Sequence, residues 1–219
     1  MDALLVETAQ DLLQVKAAVV ACKRAMARTG RRVGLLAQVT VELTGTMLVG
    51  SEIGAALTAI EALGVDVIGM NCATGPGEMT EHVRYLSQHA RVALSVMPNA
   101  GLPELGPNGA TYPLTPAELA DAQDMFTAEF GVALAGGCCG TTPEHLREVV
   151  ARVAGREVTR RLPRSEPGAS SLYQTVPFRQ DNSVLMVGER TNANGSKAFR
   201  EALLAGRWDD LVEMARAPT

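Results

Sequence analysis

The feature that most constrains the fold is a regular alternation of short apolar runs with segments in which apolar residues recur at helical spacing. The apolar runs are residues 4–6, 33–39, 65–71, 92–97 and 132–135, and the helical segments are residues 9–28, 51–63, 77–89, 116–130 and 143–154. The units repeat at roughly 30 residues, which suits a strand followed by the helix that leads to the next parallel strand. Because the runs are almost continuously apolar, we expect a parallel sheet covered by helices. The sequence therefore predicts an α/β protein.

A doubly wound sheet and a (β/α)8 barrel both fit this alternation, and the positions of reactive residues favour the barrel. Glu7, Cys72, Asn99, Cys138 and Cys139 all fall at the carboxyl end of a predicted strand. In a barrel these ends form one ring around one site, whereas in an open sheet only those near the switch point meet. We therefore predict a partial (β/α)8 TIM barrel of five βα units.

A break in composition follows the last of these units. Residues 156–183 are rich in arginine and proline, which predicts a linker. Residues 184–187 are then predicted to form a strand, and residues 197–205 and 208–216 two helices. One strand and two short helices cannot bury a core alone. We expect a first domain at residues 1–155 and, at residues 184–219, the start of a second.

Composition excludes several functional classes. Hydrophobic residues make up 47% and aromatic residues 4%, which predicts an aliphatic core, and the net charge of -4 gives no basic surface for nucleic acid or an anionic membrane. No apolar run approaches the ~18 residues of a membrane-spanning helix, and the N-terminus lacks the basic region of a signal peptide. We therefore expect a cytoplasmic protein, where clustered cysteines act as metal ligands or in catalysis more often than as disulfides.

The sequence Gly136-Gly137-Cys138-Cys139-Gly140 lies between the last predicted strand and its helix. The following Thr-Thr-Pro-Glu suggests a capping box from Thr141 to Glu144. Adjacent cysteines could be small buried hydrophobes, a vicinal disulfide, or two ligands of a metal site that needs a third. Cys72, in an equivalent position after another strand, is a candidate for that third ligand. Three thiols with an open position form the arrangement of a catalytic zinc.

The remaining candidate ligands are assigned to structure. Cys22 lies on the apolar face of the first helix and is interpreted as a core residue. His82, His89 and His145 lie on helices, away from the strand ends, and are interpreted as surface or core residues.

Together these motifs resemble the family of cobalamin-dependent methionine synthases over nearly the whole chain. The motifs are Gly-Gly-Cys-Cys-Gly-Thr-Thr-Pro, Asn-Cys-Ala at residues 71–73, Pro-Asn-Ala-Gly at residues 98–101 and Gly-Glu-Arg-Thr-Asn at residues 188–192. Residues 3–154 resemble the later part of a homocysteine-binding barrel, and residues 184–216 the start of a folate-binding barrel. The cysteine motifs alone also fit the homocysteine methyltransferases that use betaine or S-methylmethionine. Those enzymes lack a folate module, and so lack the Gly-Glu-Arg-Thr-Asn motif.

The resemblance implies zinc held by Cys72, Cys138 and Cys139, with the thiol of homocysteine in the open position. It also implies that Glu7 and Asn99 hold the amino acid end of homocysteine. Two simpler interpretations stay open, in which Glu7 caps a helix and Asn99 is a turn residue.

In the second region, the resemblance places Glu189 and Asn192 at a pterin site. Asn192 also suits a turn into a helix whether or not a ligand is bound.

Family members have eight barrel strands, so we expect this chain to be a fragment or one part of a split enzyme. The resemblance implies methylcobalamin on a module outside this chain and methyltetrahydrofolate as methyl donor to the parent enzyme. It also leaves room for a partner chain that supplies the other strands. Two alternatives remain: a non-catalytic zinc- or thiol-binding remnant, and a redox protein that uses a Cys138–Cys139 disulfide.

Overall fold

The computed structural model describes residues 1–107, 109–185 and 191–217. The chain divides into two compact units, Met1–Phe178 and Arg179–Thr219. The first unit contains the elements predicted to carry the site.

The first unit alternates strands and helices in the predicted order. Its elements are β1 (Ala3–Ala9), α1 (Leu12–Thr29), β2 (Gly34–Val39), α2 (Ile53–Glu61), β3 (Val67–Asn71), α3 (Pro76–His89), β4 (Ala93–Met97), β5 (Glu104–Gly106), β6 (Gly109–Thr111), α4 (Pro116–Phe130), β7 (Val132–Ala135), α5 (Pro143–Val153), β8 (Gly168–Ser170) and β9 (Thr175–Pro177). The five predicted strands pair in parallel in the order β1-β2-β3-β4-β7. The α/β prediction is confirmed, and the strands follow chain order without the reversal that defines a doubly wound sheet.

Each central strand sends alternate side chains to opposite faces, because successive residues of a strand point in opposite directions. One set joins the main apolar core with residues from α1, α2, α3 and α4; it includes Leu35, Ala37, Ile68 and Leu94. Cys22 packs against this core, as predicted.

The other set of side chains includes a buried polar row. Gln38, Gly69 and Ser95 lie in register on β2, β3 and β4, and Gln38 Nε2 donates to Ser95 Oγ at 2.6 Å. A side chain at residue 69 would overlap Ser95, so glycine allows this bond to cross β3.

Much of the predicted linker is folded onto the first unit. The Arg161 guanidinium donates to the carbonyls of Ala90, at 2.8 Å, and Val92. The β8–β9 hairpin lies against α2, where Thr58 and Thr175 share a hydroxyl hydrogen bond of 2.8 Å. These contacts are made by main-chain and polar groups. The segment therefore has no apolar periodicity from which its packing could be predicted. The loop predicted before residue 113 likewise contains the β5–β6 hairpin.

The second unit contains α6 (Lys197–Leu204) and α7 (Trp208–Arg216), which match the two predicted helices. Val184 and Leu185, the start of the predicted strand, have no regular secondary structure. The rest of that strand and the predicted pterin residue Glu189 lie in residues 186–190, outside the described residues. No helix in the described ranges is both long enough and apolar enough to cross a membrane.

Candidate metal centre

Three cysteine thiols meet at the carboxyl ends of the strands. Cys72 directly follows β3, and Cys138 and Cys139 lie in the loop between β7 and α5. Their three Sγ atoms lie within 4.8 Å of one another, and the Sγ atoms of Cys72 and Cys139 are 3.6 Å apart. The structure therefore brings together the three residues that the sequence suggested as ligands.

The turn that presents Cys72 is a strained one. Cys72 and Ala73 have φ angles of 64° and 63°, in the left-handed region that residues other than glycine rarely occupy. Such residues persist only where neighbouring contacts hold them. Here the Cys72 N–H donates to Met97 O at 3.2 Å, and the Asn99 N–H donates to Thr74 O at 3.0 Å. The loop after β4 thus fixes the turn after β3.

The same loop after β4 holds the two adjacent cysteines. The Cys138 N–H donates to Pro98 O at 2.7 Å, and the Ala100 N–H donates to Cys139 O at 2.9 Å. The Cys139 N–H donates to Asn99 Oδ1 at 3.1 Å. Three hydrogen bonds therefore set the backbone of both cysteines before any ligand binds.

The first turn of α5 begins at Pro143, as predicted, and completes the support of the cysteine loop, but its capping residue lies one position later than predicted. The N-cap is Thr142, whose N–H donates to His145 Nδ1 at 3.2 Å. His145 Nε2 in turn bonds Leu114 O at 2.8 Å, so this buried histidine serves structure, as predicted. The predicted capping box that starts at Thr141 is wrong, because the Thr141 hydroxyl instead donates to Cys138 O at 2.7 Å.

Tyr112 packs beside the thiols. Gly140 has a φ of 79°, and a side chain at that position would overlap the Tyr112 ring. Burial raises the pKa of the Tyr112 phenol, and the neighbouring Cys139 thiol raises it further. Gly140 is therefore needed both for its backbone conformation and for the approach of the ring.

The electrostatics of the cluster keep Cys72 protonated in the absence of a cation. Burial raises the pKa of the Cys72 thiol to about 12, and Cys139 and Cys138 add to the rise. At neutral pH this thiol keeps its proton unless a positive charge compensates the thiolate. Zinc bound tetrahedrally at about 2.3 Å from each sulfur would separate the sulfurs by about 3.8 Å. The 3.6 Å between the Sγ atoms of Cys72 and Cys139 is close to that separation and far from the ~2.05 Å of a disulfide, and all three cysteines are free.

The two residues predicted to hold the substrate differ in exposure and in hydrogen bonding. Glu7 is exposed at the carboxyl-terminal end of β1, and the side-chain cap of α1 is Asp11, whose carboxylate accepts from Gln14 N at 2.7 Å. Asn99 is only 3% exposed, and its Oδ1 is already engaged by Cys139. Asn99 thus has an observed structural role at the centre.

Asn192, predicted for the pterin site, forms a turn before α6. Its Oδ1 accepts from Asn194 N at 2.9 Å, and its carbonyl accepts from Ser196 N at 2.7 Å. This is the helix-entry role that the sequence left open.

Two buried amides at the site were not predicted as functional residues. Asn71, 1% exposed, donates from Nδ2 to Cys138 Sγ at 3.7 Å. Gln123 Nε2 on α4 donates to Gly136 O at 2.7 Å and Val96 O at 3.1 Å, which fixes the strand end before the cysteines. In the sequence, Asn71 belongs to the Asn-Cys-Ala motif, and both amides are polar residues at positions that the pattern predicts to be buried.

The chain is similar to known proteins over its whole length. A protein-family model described as homocysteine S-methyltransferase matches residues 1–153. The chain is 63% identical over 218 residues to a methionine synthase of Mycobacterium tuberculosis, and 61% identical over 224 residues to a methionine synthase of Mycobacterium leprae. Each alignment covers 100% of this chain and 18% of the relative. Residues 154–219 therefore align with methionine synthases although they lie beyond the family model.

Proposed function

Because the chain belongs to the homocysteine S-methyltransferase family, we propose that its three-thiol cluster holds zinc and activates homocysteine for methylation to methionine. The observation that carries this proposal is the approach of three thiols to within 4.8 Å of one another at the carboxyl ends of parallel strands. Three protein ligands leave one position of a tetrahedral zinc open, as catalytic sites require.

The chain's own residues prepare the site for a thiol substrate. Zinc, when bound, supplies a positive charge that lowers the pKa of a coordinated thiol. Cys72, Cys138 and Cys139 would hold zinc as thiolates. Their three negative charges exceed the two positive charges of the metal, so a substrate sulfur at the open position would stay electron-rich and nucleophilic. The hydrogen bonds to the backbone of Cys138 and Cys139 hold the ligands in place. The methylated product is a neutral thioether, a weaker ligand than a thiolate, so its release is favoured.

Glu7 and Asn99 are proposed to bind the amino acid end of homocysteine. The exposed Glu7 carboxylate can accept hydrogen bonds from the α-ammonium group. Asn99 Nδ2 can donate to the α-carboxylate while Oδ1 holds Cys139. In this arrangement Asn99 would both bind the substrate and hold the loop that carries Cys139.

The larger assembly is also proposed from the relatives. The five parallel strands would form part of a (β/α)8 barrel, with the rest of the barrel and a cobalamin module outside this chain. Residues 184–219 would begin a folate-binding domain, with Glu189 and Asn192 at its pterin site. The parent enzyme would then use methyltetrahydrofolate and methylcobalamin as methyl carriers. The alignment of residues 154–219 with methionine synthases favours this type over the betaine- and S-methylmethionine-dependent types.

Cobalt-substituted protein tests the proposal directly. We expect L-homocysteine to change the visible spectrum of the Co²⁺-loaded chain, because a fourth thiolate joins the metal, and to release protons. Homoserine, which has a hydroxyl in place of the thiol, is the control and should do neither.

A chain that binds Co²⁺ but does not respond to homocysteine would contradict the proposal and favour the non-catalytic metal-binding alternative. A chain that binds no metal and cycles between thiol and disulfide would favour the redox alternative.

A further inference from the structure

The side chain of Asn71 links three parts of the site. Its Oδ1 accepts from Thr8 N at 2.8 Å, and its Nδ2 donates to Thr8 Oγ1 at 2.8 Å and to Cys138 Sγ at 3.7 Å. The Thr8 N–H can only donate, so it fixes which end of the amide is oxygen. Both hydrogens of Nδ2 therefore have acceptors, one of them the thiol.

These bonds hold an irregular strand end. The β1–β2 register places Val6 opposite Ala37 and Ala9 opposite Val39, so β1 contains one extra residue at the position of Glu7 and Thr8. Thr8 has a φ of 54°, which is unfavourable for a β-branched residue. Bulges of this kind redirect side chains next to active sites. The two bonds from Asn71 stabilise Thr8 in this conformation.

Asn71 reaches Thr8 across the end of an intervening strand. β2 lies between β1 and β3 in the sheet. The end of β2 joins the same network, because Thr40 N donates to Ala9 O at 3.0 Å and Thr40 Oγ1 donates to Asn71 O at 3.0 Å. The ends of β1 and β2 and the cysteine loop thus all bond to Asn71 at the end of β3, β2 through its main-chain carbonyl and the others through its side chain.

We propose that Asn71 is a positioning residue that joins the end of β1, with its exposed Glu7, to the Cys138 sulfur of the metal centre. The donor on Nδ2 reduces the charge on the Cys138 thiolate and orients it, while the two bonds to Thr8 set the distance from the bulge to the thiols. The proposal rests on the proposed function, since it concerns how the substrate-binding strand end and the zinc ligands are held together.

Two substitutions separate the two tasks of the amide. Asn71→Asp has the same shape, and its oxygens can still accept from Thr8 N and from the Thr8 hydroxyl, but it replaces the donor to Cys138 with a negative charge. Asn71→Ala removes all three bonds. Gln88→Glu, the same change of neutral amide to acid on the exposed surface at the far end of α3, is the charge control.

Metal affinity measured by chelator competition tests the contact with sulfur. We expect Asn71→Asp to weaken binding of Zn²⁺ and Co²⁺ by roughly 10- to 100-fold, the range seen when an outer partner of a metal ligand is lost. The sulfur-to-cobalt charge-transfer band should move to lower energy, because a thiolate without its donor holds its electrons less tightly. Equal affinities for Asn71→Asp and Gln88→Glu would overturn the proposal.

Amide hydrogen exchange in the metal-free chain tests the contact with β1. We expect faster exchange at Thr8 in Asn71→Ala, wild-type exchange there in Asn71→Asp, and unchanged exchange in α4 in both. Unchanged exchange at Thr8 in Asn71→Ala would overturn the proposal. If the wild-type chain binds no metal, the proposed function fails, and the exchange experiment still decides whether Asn71 holds the strand end.

Discussion

At the scale of single residues, the loop that carries two of the thiols depends on a glycine, Gly140, at a position that a larger residue would destabilise. Gly140 follows the two cysteines, has a φ of 79° and lies under the Tyr112 ring. Two separate costs therefore oppose any substitution there: the left-handed backbone and the overlap with the ring. Gly30, which ends α1 with a φ of 65°, has the same backbone requirement, but a Cβ at that position would meet no atom within 4 Å.

We expect Gly140→Ala to destabilise the chain more than Gly30→Ala does. The left-handed backbone costs roughly 1–2 kcal/mol for alanine, and only Gly140→Ala must also displace Tyr112. Urea denaturation of the two variants and the wild type measures both free energies of unfolding. Equal losses would show that the ring moves aside without cost.

The raised pKa of Cys72 predicts that metal affinity depends on pH. Because that thiol ionises only near a pKa of about 12 without metal, binding of a cation at neutral pH must release protons from the cluster. Lowering the pH adds competing protons, so apparent zinc affinity should fall steadily as the solution is taken from mildly alkaline to mildly acidic. Chelator competition at several pH values tests this, and affinity that does not change with pH would contradict it.

At the scale of secondary-structure elements, the segment after α5 stabilises the first unit. Arg161 donates to carbonyls at the end of α3 and the start of β4, where the helix leaves backbone acceptors without partners. Thr159 Oγ1 also donates to Ala128 O of α4, at 2.6 Å. The segment therefore caps two helices although its composition predicts a linker.

Arg161→Met should lower the free energy of unfolding by roughly 2 kcal/mol, because it removes charge-assisted hydrogen bonds to buried carbonyls while keeping an apolar stem. Its neighbour Arg160 is exposed, so Arg160→Met is the matched control and should be near neutral. Thermal or urea denaturation compares them. Similar stability of the two variants would mean that the hydrogen bonds of Arg161 contribute little to the fold.

The parts of the structure that could be predicted are those set by the pattern of neighbouring residues in the sequence. Strand ends and helix starts follow from apolar periodicity, so the approach of Cys72 to Cys138 and Cys139 could be predicted. The capping residue could not, because Thr141 and Thr142 are both suitable caps and the choice depends on His145. Asn71 was missed as a functional residue because its partner Thr8 is 63 positions away, and a hydrogen bond between distant side chains leaves no pattern in the sequence.

At the scale of the whole molecule, the candidate metal centre lies within one unit of a chain whose relatives extend much further. The centre uses residues from β3, the loop after β4 and the loop after β7, all within Met1–Phe178. The chain spans 18% of each of the two methionine synthases to which it was aligned. The central claim, that these three thiols hold zinc, can therefore be tested on this chain alone.

The most direct test is the zinc content of the purified chain, measured together with the number of reactive thiols before and after chelation. We predict about one zinc per chain, with Cys72, Cys138 and Cys139 protected until the metal is removed. Zinc should be lost in Cys138→Ser and retained in Cys22→Ala, since Cys22 packs against the core of the first unit. A chain without zinc, whose three clustered thiols react freely from the start, would contradict the central claim.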